Sequence, residues 1–244
     1  VLKVYMEGQG FNEYGKRSTY FSKDAKPFKL EKGISILAGF KMTIDKYLDN
    51  TVKLNIDTSF RISSTYSIFQ EFTDAVAYAT DKDAARSRFT SDNIIGKSFS
   101  ILNDLNRMVR IVGVDPTKNL RSPSPVEGFK TMREYLEHKF GCVLKESNQF
   151  LCFSETKKRL PVQGNANKKE TIAERIYFPS EILYALGLKD SHKKDFHLMK
   201  KVAEITKMRP DEKMKSILGC AKLFKSICSG IGMGTSKVAQ TPVE

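Results

Sequence analysis

Two stretches, KTMREYLEHKFGCVLKESNQFLCFSETKKRL (Lys130–Leu160) and ERIYFPSEILYALG (Glu174–Gly187), decide the reading of this chain. The first opens with a basic amphipathic segment carrying Tyr135 and Phe140, whose helical spacing ends at Gly141, a residue suited to the position just past a helix C-terminus. CVLK (Cys142–Lys145) and FLCFSE (Phe150–Glu155) then read as two strands of a small hairpin. KKRLPVQGNANKKET (Lys157–Thr171) reads as a basic loop, and SEILYALG (Ser180–Gly187), behind Pro179, as a short helix closed by Gly187. Aromatic faces stack on bases while neighbouring cationic groups neutralise phosphates, so this interleaving points to single-stranded nucleic acid.

Outward from that core, the rest of the chain supplies strands before it and helices after it. ISILAGFKMTIDKY (Ile34–Tyr47) and TVKLNIDTSFRI (Thr51–Ile62) read as a hairpin turned at Asp49-Asn50. Residues Ile68, Phe69, Phe72, Val76 and Tyr78 fall near helical spacing, with Ser67 placed to start one helix or two. IIGKSFSIL and RMVRIVGVD, separated by Asn103-Asp104, return to strand character, and the three prolines of DPTKNLRSPSPVEG mark a loop. SHKKDFHLMKKVAEITKM is a helix with Phe196, Met199, Val202, Ala203 and Thr206 on one core-type face. Pro210 opens the next helix, whose apolar residues are Ile217, Leu218, Ala221, Phe224 and Ile227. The final SGIGMGTSKVAQTPVE has no periodicity and reads as a flexible end or connector.

Composition narrows the class. With 41 Lys+Arg against 28 Asp+Glu in 244 residues, the formal charge is +13, which favours a polyanionic partner. A hydrophobic content of 40% is enough for a packed core in one large domain or two small ones. No apolar run reaches the roughly 20 residues of a membrane helix, so no membrane partner is expected. Cys142, Cys152, Cys220 and Cys228 are sparse and irregular, which favours a reducing compartment over a disulfide framework. His138, His192 and His197 lie in Lys-rich helical contexts; neither metal nor another cofactor is expected.

Four segments carry a resemblance. LAGFKMTIDKYLDNTVKLNIDTSFRI resembles the linker of Piwi-clade Argonaute proteins, REYLEHKFGCVLK the helix of their PAZ domain, and IYFPSEILYALGL its closing segment. KKDFHLMKKVAEITKMRPDEKMKSI resembles the stretch that follows PAZ in those proteins, so the resemblance runs from about Leu37 to Ile217. It implies an α+β fold: a small OB/SH3-like β-barrel with an αβ insertion, flanked by a linker hairpin and helices. Residues 1–89 would be the N-terminal linker region, 90–188 the PAZ-like domain, and 189–244 a helical linker with a flexible end.

The implied function is capture of the 3′ end of a small single-stranded guide RNA, piRNA-like and 2′-O-methylated, in RNA silencing. By that resemblance, Tyr135 and Phe140 fall on the pocket aromatics of the helix and Lys139 on the basic residue between them. Arg107 precedes the pocket strand, and Ile176 and Phe178 form the apolar wall. Phe140 and Val109 stand where the family commonly has Tyr, which removes two hydroxyls; Arg107, Arg110 and Arg121 are placed to compensate, and Phe129 to replace a missing loop Phe. The pocket should therefore be more apolar than usual. The partners implied are the RNA 3′ end and the N, MID and PIWI domains of the parent protein, in cytoplasmic or nuclear ribonucleoprotein particles. Slicing would belong to PIWI, and no paired-metal acidic pattern occurs in this chain, so the segment itself is not expected to be an enzyme. Two alternatives are the PAZ module of a Dicer-type ribonuclease and a peptide-binding barrel.

Overall fold

The computed structural model describes residues 2–14, 18–46, 52–102, 107–162 and 165–230. In chain order the elements are α1 (Leu2–Gly8), β1 (Phe11–Tyr14), β2 (Thr19–Ser22), β3 (Phe28–Leu30), β4 (Ile34–Lys46) and β5 (Val52–Ser67). Then come α2 (Ile68–Ala77), α3 (Lys82–Phe89), β6 (Ser98–Ile101), β7 (Met108–Arg110), β8 (Gly113–Asn119) and α4 (Met132–Phe140). The remainder is β9 (Phe150–Val162), β10 (Asn165–Pro179), β11 (Leu183–Leu186), α5 (Asp190–Lys193), α6 (Phe196–Thr206) and α7 (Pro210–Gly230). This is an α+β chain of helices and antiparallel sheets, in agreement with the α+β expectation.

The chain divides into two compact units, one of residues 1–26, 37–60 and 190–244, the other of 27–36 and 61–189. In the first, β1 pairs with β2 and β2 with β4, all antiparallel, and β4 neighbours β5. Its core joins Met6, Tyr20, Met42 and Cys220, with Phe11, Phe40, Leu54 and Ile56 against them. The expected hairpin strands are thus present, while its Asp49-Asn50 turn lies outside the described residues.

In the second unit β11 lies between β5 and β6, and β6 pairs with the edge strand β7. A separate three-stranded sheet runs β10-β9-β8. One core, including Ile68, Phe99, Ile111, Met132, Leu136, Leu151, Phe178 and Leu183, joins these sheets to α2 and α4. Ser67 opens α2 with a capping box: its side chain accepts from the Gln70 amide while the Gln70 side chain accepts from its own. Asp81 caps α3 through the Asp83 and Ala84 amides, so the segment after Ser67 forms two helices.

Five expectations are corrected. CVLK is not a strand, because carboxylate side chains take the backbone N–H groups of Leu144 and Lys145. The described residues of the proposed basic loop Lys157–Thr171 instead continue β9 to Val162 and β10 from Asn165, with Arg159 opposite Thr171 and Lys157 opposite Ala173. The proline-bearing DPTKNL segment lies largely in β8. Pro116 is tolerated there because β8 is an edge strand whose ladder is interrupted between Asp115 and Asn119. LYAL forms β11, not a helix, with Leu183 opposite Ile101 and Tyr184 opposite Ser67; only Ser180–Ile182 makes a helical turn, of the tighter 3₁₀ kind. Finally, the helix from Ser191 is split between α5 and α6, because the Asp195 side chain accepts from the Leu198 amide and starts a new helix. On α6, Leu198 and Val202 are buried but Phe196 is 77% exposed, so that face is only partly core.

Candidate nucleic-acid interface

Helix α4 is delimited as its sequence predicts. The Thr131 hydroxyl accepts from the Glu134 amide at 3.3 Å, and Gly141 closes the helix in the left-handed region at φ 65°. Met132, Leu136 and Phe140, each four residues after the last, are buried along one stripe. Tyr135 and Lys139 occupy the adjoining stripe. The Lys139 ammonium donates to the Tyr135 hydroxyl oxygen at 3.1 Å. It also lies 5.2 Å from the Tyr135 ring centre, 5.6 Å from that of Phe140 and 6.0 Å from that of Phe178.

Phe178 reaches this cluster from β10. Ile176 and Phe178 are two apart on a strand and so share a face, while Tyr177 points to the other. The Phe140 and Phe178 rings are 5.6 Å apart with their planes inclined by 36°. They are 8% and 6% exposed, so they form the floor of the cluster, whereas Tyr135 is half-buried at its rim. Phe129 adds an edge-on contact to Tyr135 at 5.8 Å and a tilted one to His138 at 5.2 Å. The loop phenylalanine therefore packs on the helix tyrosine.

Of the residues singled out from sequence, Tyr135, Lys139, Phe140 and Phe178 come together. Val109 on β7 and Ile176 on β10 are half-buried against the same core. Arg107, just before β7, and Arg110, its last residue, are exposed; Arg110 Nε donates to the Gly96 carbonyl at 3.1 Å. Arg121 lines a different cavity, of about 140 Å³, with Leu120, Thr131, Arg133 and Ser147.

Sequence reasoning missed a second aromatic and cationic set on the three-stranded sheet. Lys118 Nζ lies 4.5 Å over the Tyr177 ring, Tyr177 packs 6.3 Å from Phe153, and the Arg175 guanidinium lies 4.4 Å over Phe153. The Tyr177 hydroxyl donates to Asp115 Oδ2 at 3.0 Å in the buried interior. The Thr117 hydroxyl and amide donate to Asp115 Oδ1 at 2.6 and 3.0 Å, and the hydroxyl bond is the chief reason this carboxyl lies below its usual range. An Asp-Pro-Thr sequence is the local signal for such a turn, but it says nothing of Tyr177.

Gly113 opens β8 directly against Phe153. A Cβ at position 113 would lie 2.7 Å from the ring's Cζ, closer than packed carbon atoms approach.

Comparison with known proteins adds to this picture. No family model matches the chain. In sequence it is 25% identical over 213 residues to the Piwi-like protein Siwi of Bombyx mori, covering 85% of this chain and 22% of that protein. In fold it is similar to Drosophila Piwi, with a TM-score of 0.56 and 15% identity over 95% of this chain and 26% of that one. A weaker likeness, TM-score 0.45 with 12% identity, is to Clostridium butyricum Argonaute bound to a guide DNA and a target DNA; it covers 87% of this chain and 28% of that one and adds nothing to the assignment. The chain thus spans about a quarter of the length of these proteins. The chain is thus similar in sequence to a Piwi-like protein and similar in fold to Drosophila Piwi.

Proposed function

We propose that this segment binds the 3′ end of a small single-stranded guide RNA, as the PAZ module of a Piwi-type protein acting in small-RNA-guided silencing. The observation that carries the reading is the Lys139 ammonium held by the Tyr135 hydroxyl over three aromatic rings. A cation and a phenol at the rim offer donors to the last phosphates, and the rings below offer a face for the terminal nucleoside. Such contacts carry no base information, so binding is independent of sequence. In this reading residues 90–188 are the RNA-binding module, and 1–89 and 189–244 are its linkers to the rest of the parent protein, including the N, MID and PIWI domains. Cleavage of a target belongs to PIWI, and the assembled particle works in the cytoplasm or nucleus.

The floor carries no hydroxyl, because Phe140 and Phe178 supply it. Burying an unpaired 2′-hydroxyl costs about 1 to 3 kcal/mol, whereas burying a methyl gains about 0.8 kcal/mol. A 2′-O-methylated terminus is therefore preferred over a free one.

Fluorescence-anisotropy titration of three RNAs, identical except for a free 2′-hydroxyl, a 2′-O-methyl or a 3′-phosphate end, tests both statements. A strong loss of affinity with the 3′-phosphate supports a terminus-reading site, and the methylated RNA is expected to bind about fourfold or more tighter than the free end. Equal affinities would reduce the site to a nonspecific basic surface. The peptide-binding alternative predicts little salt dependence. RNA capture predicts a log–log slope of about −0.7 for each phosphate held.

A further inference from the structure

The two aromatic walls of the cluster belong to distant parts of the chain, and a pair of carboxylates connects them. Three consecutive amides in the irregular segment after α4 are taken by acidic side chains. Leu144 N–H donates to Glu137 Oε1 at 2.9 Å, Lys145 N–H to Glu181 Oε1 at 2.9 Å, and Glu146 N–H to Glu181 Oε2 at 2.9 Å. Glu137 stands on α4, three residues before Phe140. Glu181 stands in the 3₁₀ turn Ser180–Ile182, three residues after Phe178. One short run of backbone is therefore gripped on one side by the helix that carries Phe140 and on the other by the turn that follows Phe178.

The grip is locked from behind. Gln149, 1% exposed, donates through Nε2 to Glu181 Oε2 at 2.7 Å, and its Oε1 accepts from the Glu181 amide at 2.9 Å and the Ser180 hydroxyl at 3.3 Å. Arg133 Nη2 donates to the Leu144 carbonyl at 2.6 Å, and its Nε lies 3.7 Å from Glu137 Oε1. Bonds from amides to a carboxylate are charge-assisted and directional, so they define a separation as well as an attraction.

We propose that Glu181 and Glu137 are the positioning pair of the aromatic cluster: they set the separation of Phe140 from Phe178, and with it which terminal group the cluster accepts. This rests on the reading of the cluster as a 3′-end site, and neither glutamate touches RNA in it. A glutamine at position 181 keeps the size of the side chain but replaces one accepting oxygen by an NH₂ that faces an N–H donor, so at least one amide loses its partner.

Two readouts on the whole chain test the pair. In the first, wild type, Glu181→Gln, Glu137→Gln and the double variant are titrated with RNAs ending in a free 3′-hydroxyl or a 3′-phosphate. Their thermal midpoints are recorded alongside. Glu181→Gln is expected to weaken binding of the free end about tenfold and to narrow the ratio between the two RNAs, while the affinity for the 3′-phosphate RNA stays within about twofold. A purely structural residue would lower the thermal midpoint and leave that ratio unchanged, which overturns the proposal.

In the second, 4-fluorophenylalanine is placed at position 140 or 178, and its ¹⁹F resonance is followed without RNA. Displaced or split resonances in Glu181→Gln, at a temperature where both proteins are folded, support the positioning pair. Resonances identical to those of the parent protein overturn it. If wild type itself fails to discriminate the two RNAs, the 3′-end reading falls, and the fluorine resonances alone still decide whether the carboxylates set the ring separation.

Discussion

Lys139 Nζ donates to the hydroxyl oxygen of Tyr135 at 3.1 Å, one helical turn away, and thereby sits above the rings of Phe140 and Phe178. An ammonium in this position is oriented before any ligand arrives. The bond holds the flexible four-carbon stem over the aromatic floor, which lowers the ordering cost of engaging a phosphate there.

Removing the phenol while keeping the ring separates these contributions. Tyr135→Phe retains the edge contact with Phe129 but deletes the acceptor that orients Lys139 and a donor toward the RNA backbone. Affinity for a free-ended RNA is expected to fall about three- to tenfold, with the unfolding midpoint nearly unchanged, since an exposed hydrogen bond contributes little to folding. Paired anisotropy and thermal-melt measurements check this.

Lys139→Met keeps the apolar stem and removes the charge. The slope of log affinity against log salt should become shallower by about 0.7, the value for one phosphate contact with a single strand. Titrations at several potassium chloride concentrations measure it. An unchanged slope would place Lys139 outside the phosphate path.

Asp115 makes stability depend on acid pH. Its folded carboxyl lies below the ordinary value of 3.8, chiefly through the Thr117 hydroxyl bond and also through Tyr177. The folded state thus binds fewer protons than the unfolded one near that value. Its stabilising contribution is fully present above the unfolded value and is lost as pH falls through the folded one. Urea midpoints recorded from about pH 6 down to about pH 3 are expected to decline less steeply for Asp115→Asn than for wild type, although the variant starts from a lower midpoint.

Gly141 ends α4 at φ 65°, where a Cβ meets no neighbour but clashes with its own backbone. Gly141→Ala should cost about 1 kcal/mol of stability, and Gly141→Asn less, because asparagine tolerates the left-handed region. Equilibrium urea unfolding distinguishes the two.

What the sequence revealed follows the range of the interactions involved. Helix α4 was legible at both ends because its cap and its stop are local: Thr131 serves an amide three residues on, and Gly141 follows the last helical residue. Tyr135 and Lys139 entered through family resemblance, but their bond is local in the same sense, one helical turn apart. CVLK was misread because the Leu144 amide is claimed by Glu137 and the Lys145 amide by Glu181, 36 positions away, and no periodicity reports such partners. LYAL was misread because four apolar residues have no period, so only its place between β5 and β6 makes it a strand. Phe178 entered the candidate site through family resemblance alone. The Tyr177–Asp115 bond, across 62 positions, had no signal to find it.

The close approach of Gly113 to Phe153 bears on how this protein can change over generations. A hydrogen atom is all the ring leaves room for at position 113, so that site cannot gain a side chain while Phe153 keeps its place. A lineage that gains alanine at 113 must already have traded the aromatic at 153 for something smaller, and would thereby give up the surface on which the Arg175 guanidinium rests. Among diverged relatives a side chain at 113 should therefore occur only where 153 is smaller than phenylalanine.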